Sequence, residues 1–126
     1  MALRTPIKRA RGLGSAKDGV GHWWLQRVTA VALIPLVIWF AFGLASNAGA
    51  DYDTVRAWIG SPVTAGLFIL LIGTLYFHAQ LGLQVIIEDY VHGKVAQLAS
   101  LLAVKFLAAV LALTGILAVL RIAFGG

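Results

Sequence analysis

His78, Asp89 and Tyr90 belong to one short stretch, HAQLGLQVIIEDYVHG, which closes a long apolar run. An imidazole can bind a metal or relay a proton, a carboxyl can hold a proton, and a phenol can donate a hydrogen bond to a carbonyl oxygen. At about 100° per residue, Asp89 comes back to within about 20° of the His78 direction, and Gly82 and Val85 fall near the same stripe. A helix through this stretch would therefore carry on one face an imidazole, a small residue beside which something bulky can lie, and a carboxylate. That layout suits a flat cofactor against the helix with a polar site beyond it.

The elements that must hold these residues are set by composition. The chain has 126 residues, 60% of them hydrophobic and 12% charged, and a mean hydropathy of +0.90. Too few polar groups are present to cover a soluble globule, so the chain is expected to be an all-α integral membrane protein. Apolar runs long enough to cross a bilayer occur three times, at about residues 24–45, 63–87 and 95–124, each matching the roughly 20 residues a spanning helix needs. They divide the chain into a basic tail, residues 1–22, and a single three-helix membrane domain, residues 23–126. Pro35 lies inside the first span, where its ring and missing N–H should bend the helix.

The net charge of +5 is unevenly placed. Arg4, Lys8, Arg9, Arg11, Lys17 and Arg27 stand at the start, opposed only by Asp18, while the first connection, SNAGADYDTVRAWIGSP, carries two aspartates against one arginine. Positive residues stay on the cytoplasmic side and meet anionic lipid there, which puts the N-terminus in the cytoplasm and the C-terminus in the periplasm. Trp23 and Trp24 at one face, and Tyr52 and Trp58 at the other, match interfacial aromatic anchors. The tail has neither the interleaved aromatics nor the folded platform that nucleic-acid binding uses, so no nucleic-acid partner is expected. With a single serine and little amphipathic period, it reads as an uncleaved bacterial tail rather than a transit peptide, and the chain as a multi-pass inner-membrane protein.

His78 lies about 14 Å from the cytoplasmic end of the second span, at 1.5 Å per residue, and so within the hydrocarbon. Ionisable residues at that depth are costly and face the bundle interior. The imidazole is open to three readings: a metal ligand, a proton relay, or a structural residue satisfied by a neighbour. The chain has no cysteine, which excludes thiolate ligation and covalent attachment of a c-type haem, but a b-type haem needs only imidazole. A second strong ligand is not evident, because His22 and His92 fall at helix ends where solvated side chains are expected; it would come from a partner subunit. Tyr90 at the inner interface is either an anchor or a hydrogen-bond donor to a quinone carbonyl, with the adjacent acid helping with protons.

These residues resemble the smaller hydrophobic membrane anchor subunit of succinate dehydrogenase, in its alphaproteobacterial version. The resemblance rests on His78 followed by ten residues and then Asp89-Tyr90, on R-x-T-A at the start of the first span (Arg27, Thr29 and Ala30), on the opening GSAKDGVGHWWLQRVTAVAL, and on the three-helix plan, covering roughly residues 20–126. It implies that His78 is one axial ligand of haem b, the other coming from the larger cytochrome b anchor subunit. It also implies that Tyr90 hydrogen-bonds ubiquinone, that Asp89 supports that site, and that Arg27 lies near the haem propionates. An iron–sulfur subunit and a flavoprotein subunit would complete the complex, within membrane lipid, and this chain would not itself oxidise succinate. A haem-free structural anchor and a small pore-forming, holin-like protein are the alternatives. Lys105, deep in the third span, is expected to snorkel to the interface or to meet a lipid phosphate or haem edge, and Arg121 sits readily at the outer interface.

Overall fold

The computed structural model describes residues 13–125, with side chains from Val20 onward. Four α-helices follow in order: α1 (Leu13–Ser46), α2 (Tyr52–Gly60), α3 (Pro62–Tyr90) and α4 (Lys94–Leu120), the last running into a π-helical turn at Arg121–Gly125. Three segments, Val20–Ser46, Pro62–Tyr90 and Lys94–Gly125, are long and apolar enough to cross a membrane. The first two extend beyond the apolar runs because the flanking polar residues continue the same helices. Residues 1–12 of the basic tail lie outside the described residues, whereas its later part already belongs to α1, which starts at Leu13. Once a long apolar helix has nucleated, each added residue costs little, so propagation carries it back through Ala16 and Lys17 despite the nearby glycines. The helix also runs on through Pro35.

Helix α3 is central, packing most extensively on α4 and next on α1, while α1 and α4 scarcely meet. Accordingly five of its residues, Thr64, Ala65, Leu71, Gln80 and Leu81, are buried, against, among the described side chains, only Thr29 and Leu36 on α1 and Val119 on α4. Close approach is local: Gly115 of α4 receives Ile72, whose side chain would stand 3.3 Å from an added Cβ. Most large apolar side chains, including Val31, Ile34, Phe42, Phe106 and Leu113, point outward. In a soluble protein such a surface would be untenable, but against lipid tails or a partner helix it is the ordinary outer face of a membrane bundle.

The connections are short and capped. Gly49 supplies the one positive φ, +82°, among the described residues, which turns the chain between α1 and α2 at no steric cost. Asp51 caps α2, accepting a 2.9 Å hydrogen bond from the Thr54 N–H, and hydrogen bonding to Thr54 holds its carboxyl below the usual carboxylate range. The charged cap is therefore complete at neutral pH and is lost only as acid passes through that lowered pKa. Pro62 opens α3 at its first turn, where its missing N–H costs nothing. Between α3 and α4, Gln97 donates to the Val91 carbonyl at 3.2 Å, tying down a connection only three residues long, from Val91 to Gly93.

The first connection is not irregular throughout but contains helix α2. This helix is amphipathic, and its Trp58 is not simply an interfacial anchor but joins Trp39, Phe40 and Phe68 in an aromatic cluster, with centroids 5.4 Å apart for Trp58–Phe68 and 5.1 Å for Trp39–Phe68. The edge of the Trp58 benzo ring lies against Gly43, where a Cβ would run into it. Gly43→Ala should therefore lower the thermal stability of the assembled protein, by about 1–3 kcal/mol for an overpacked site. Adding Trp58→Phe, which removes the colliding ring atoms, should recover most of that loss in the same melting measurement.

Candidate functional site in the α1–α3 seam

His78 sits in the seam where α3 packs on α1, half-buried, with its Nδ1 2.9 Å from the Thr29 Oγ1. Thr29 is buried, and its hydroxyl also reaches two carbonyls of its own helix, Leu25 at 2.7 Å and Gln26 at 3.1 Å. One turn along α3, the Gln26 amide nitrogen lies 3.6 Å from where a Cβ on Gly82 would be. Gly82 was expected to leave room for a bulky group; what lies against it here is Gln26.

His22, Gln26 and Thr29 follow at spacings of four and three, so they share one face of α1. His22 was expected to be solvated at a helix end, yet its Nε2 is shielded from solvent and unpaired, as is the Gln26 Oε1. The cause is the backward extension of α1, which turns the region around His22 from a frayed end into helix interior. A polar stripe thus runs along the seam toward the N-terminal end of α1. Thr29 and His78 satisfy each other, while His22 and Gln26 each leave one atom without a partner.

The remaining expected site residues lie outside the seam. Arg27 is two residues before Thr29, roughly 200° around the helix, and its guanidinium carbon stands 5.0 Å above the Trp23 ring. Asp89 and Tyr90 form the exposed last turn of α3, about 16–18 Å along the helix from His78. The structure therefore brings His78 to Thr29 and does not bring Arg27, Asp89 or Tyr90 to His78. His92 is exposed in the α3–α4 connection.

A second polar flank of α3 faces α4. Tyr76, Gln80 and Lys105 line an open groove of about 300 Å³ whose floor is Gly73 and the alanines 108 and 109. Gln80 is buried there, its amide 3.3 Å from the Gln84 oxygen. Lys105, roughly 16 Å along α4 from Lys94, has this groove beside it rather than a purely apolar surface.

Among the described residues no group of three or more His, Cys, Asp or Glu side chains could hold a metal on its own. Within the second span the available donor is the His78 imidazole, engaged at Nδ1 and with Nε2 on the other side of the ring. That chemistry fits a single axial bond to a haem iron, with the opposite ligand supplied from outside the chain.

Three helices long and apolar enough to cross a membrane define a multi-pass membrane protein. The whole stretch from residue 1 to residue 117 matches the succinate dehydrogenase/fumarate reductase transmembrane subunit family, and the chain belongs to that family. It is 35% identical over 89 residues to a succinate dehydrogenase hydrophobic membrane anchor subunit of Rickettsia bellii, covering 71% of each chain. The corresponding subunit of Paracoccus denitrificans is 35% identical over 112 residues, covering 89% of this chain and 87% of that one. A succinate dehydrogenase membrane anchor subunit of Reclinomonas americana is 34% identical over 95 residues, covering 73% and 79%. No solved structure matches significantly. With its three spans, the chain is a multi-pass protein of the bacterial inner membrane.

The unpaired atoms of the seam make a direct prediction. Removing a buried polar group that has no partner relieves its desolvation cost, so His22→Leu should leave the melting temperature unchanged or raise it. A clear drop would show that a bound water or a partner subunit completes the hydrogen bonding of His22.

Proposed function

We propose that this chain is the hydrophobic membrane anchor of a succinate:ubiquinone oxidoreductase, giving one axial ligand to haem b and part of the ubiquinone-reduction site. It holds the iron–sulfur and flavoprotein subunits at the membrane and takes no direct part in succinate oxidation. The observation that carries the haem role is the engagement of His78 Nδ1 by Thr29, 2.9 Å away, which leaves Nε2 for a metal. Haem b, when bound, supplies one-electron storage between the partner subunits. The second axial ligand would come from the larger cytochrome b anchor subunit.

The charge bias supports an N-terminus in the cytoplasm and a C-terminus in the periplasm. Arg27 and the Asp89-Tyr90 end of α3 then share the inner face, where electrons from the iron–sulfur subunit arrive. Arg27 is free to serve the haem propionates because its present partner holds it weakly: an exposed cation–π contact such as that with Trp23 is worth about 0.5–1 kcal/mol. A bidentate guanidinium–carboxylate pair is stronger and would displace it.

At the quinone, the Tyr90 phenol donates a hydrogen bond to one carbonyl oxygen, and Asp89 beside it holds a proton for transfer as the ring is reduced. Both side chains are exposed at the helix end, which is where a lipid-borne substrate and a soluble electron donor can meet. Family membership removes the reason to prefer a pore-forming protein. A haem-free structural anchor would be recognised by a purified complex lacking a b-type absorption spectrum.

His78→Ala in the assembled complex should abolish that spectrum, and an unchanged spectrum would refute the ligand assignment. Tyr90→Phe keeps the ring and removes the donor; losing one hydrogen bond of about 1–1.5 kcal/mol should slow quinone reduction about tenfold. Unimpaired reduction would mean that Tyr90 is only an interfacial anchor.

A further inference from the structure

Thr29 belongs to the R-x-T-A run, and the function proposed above uses only its contact with His78 Nδ1, not the direction of that hydrogen bond. Its hydroxyl has three polar neighbours within hydrogen-bond reach: the Leu25 carbonyl at 2.7 Å, the Gln26 carbonyl at 3.1 Å and the His78 Nδ1 at 2.9 Å. A hydroxyl has one hydrogen to give and two lone pairs to receive with, whereas a carbonyl oxygen can only accept. Were the Thr29 hydrogen turned to Nδ1, its oxygen would face two carbonyl oxygens with lone pairs opposed, at 2.7 and 3.1 Å. With the hydrogen turned to the carbonyls, every contact is satisfied provided that Nδ1 carries the hydrogen and donates it to Oγ1.

The doubly protonated imidazolium would also satisfy the Thr29 contact, but a charge at this depth in hydrocarbon is expensive. The neutral ring with its hydrogen on Nδ1 remains, and its lone pair is then on Nε2. A threonine in a helix is stiff about its first side-chain torsion, with Oγ1 held by the carbonyl of the preceding turn. The backbone of α1 therefore aims the acceptor that selects the form of the histidine on α3.

We propose that Thr29 is a positioning residue: it holds His78 as the Nδ1–H tautomer, so that Nε2 is presented as a metal-binding lone pair and is made more basic by the hydrogen bond behind it. This rests on the haem-ligand reading of His78 and adds to it a residue that never touches the iron. Partners of this kind orient metal-bound histidines and typically change metal affinity or activity by 10–100-fold when removed.

The test compares Thr29→Val, which keeps the shape and deletes the hydroxyl, with Thr29→Ser, which keeps the hydroxyl, in the full complex purified with its partner subunits. Haem per complex, the reduction potential of that haem and its low-spin ferric resonance spectrum are read out, none of which depends on succinate or quinone turnover. Thr29→Val should lose haem about tenfold more readily to a competing apoprotein, and the haem it retains should have a more positive potential, because a less basic imidazole stabilises ferric iron less. Thr29→Ser should restore both properties. Should Thr29→Val fail to assemble, Thr29→Ala, which also lacks the hydroxyl and cannot crowd the seam, is read in the same way. Wild-type haem retention, potential and resonance spectrum in the hydroxyl-free variant would overturn the role of Thr29. His78→Ala, run beside them, keeps the two ideas separate: if it retains haem, the ligand reading fails and the tautomer role with it. If it loses haem while the hydroxyl-free variant matches wild type, only the tautomer role falls.

Discussion

The hydrogen bond between Thr29 and His78 is the constraint around which this small bundle is organised. An imidazole in hydrocarbon without a partner would cost several kcal/mol, whereas a side-chain bond between membrane helices contributes only about 0.6–2 kcal/mol on average. The larger effect is therefore the penalty avoided. It fixes the rotation of α1 against α3, since any other rotation strands the ring, and it sets their register, since Gln26 then falls opposite Gly82. The aromatic cluster of Trp39, Phe40, Trp58 and Phe68 fastens the far end of the same seam.

Helix α3 gains two polar flanks from this arrangement, His78 toward α1 and Gln80 with Tyr76 toward the groove beside Lys105. Most large apolar side chains of the three spans also point outward, as suits a subunit whose neighbours are lipid and other membrane chains. A single imidazole can form one bond to iron, so a six-coordinate haem at His78 would need its second ligand from another subunit. Function at the end of α3 would then depend on assembly, because Tyr90 and Asp89 stand exposed there rather than inside a pocket of this chain.

The three spans could be read from the sequence because hydropathy summed over some twenty residues outweighs local detail. Helix α2 could not: its nine residues, Tyr52–Gly60, sit among Gly, Asp and Ser turn formers, and its stability comes from the Asp51 cap and from Trp58 docking on Gly43, which is a tertiary contact. His78 stood out because its depth makes it costly. Its partner did not, since Thr29 is forty-nine residues away and which α1 residue meets it depends on helix rotation. The i, i+4, i+7 spacing of His22, Gln26 and Thr29 was the available signal, hidden by the expectation that the helix would begin only near Trp24. For Gly82, periodicity reports that a face is small without saying what fills it, and in this chain Gln26 lies against it.

The most direct measurement is a high-resolution electron cryomicroscopy map of the intact complex, purified in native lipid, resolving the side chains of the α1–α3 seam. The expected result is a flat macrocycle whose iron is bonded to Nε2 of His78 at about 2.0 Å, the usual metal–imidazole distance, with Thr29 Oγ1 still within hydrogen-bond reach of Nδ1. A His78 ring turned away from Thr29, or a seam packed only by lipid and partner side chains, would contradict it.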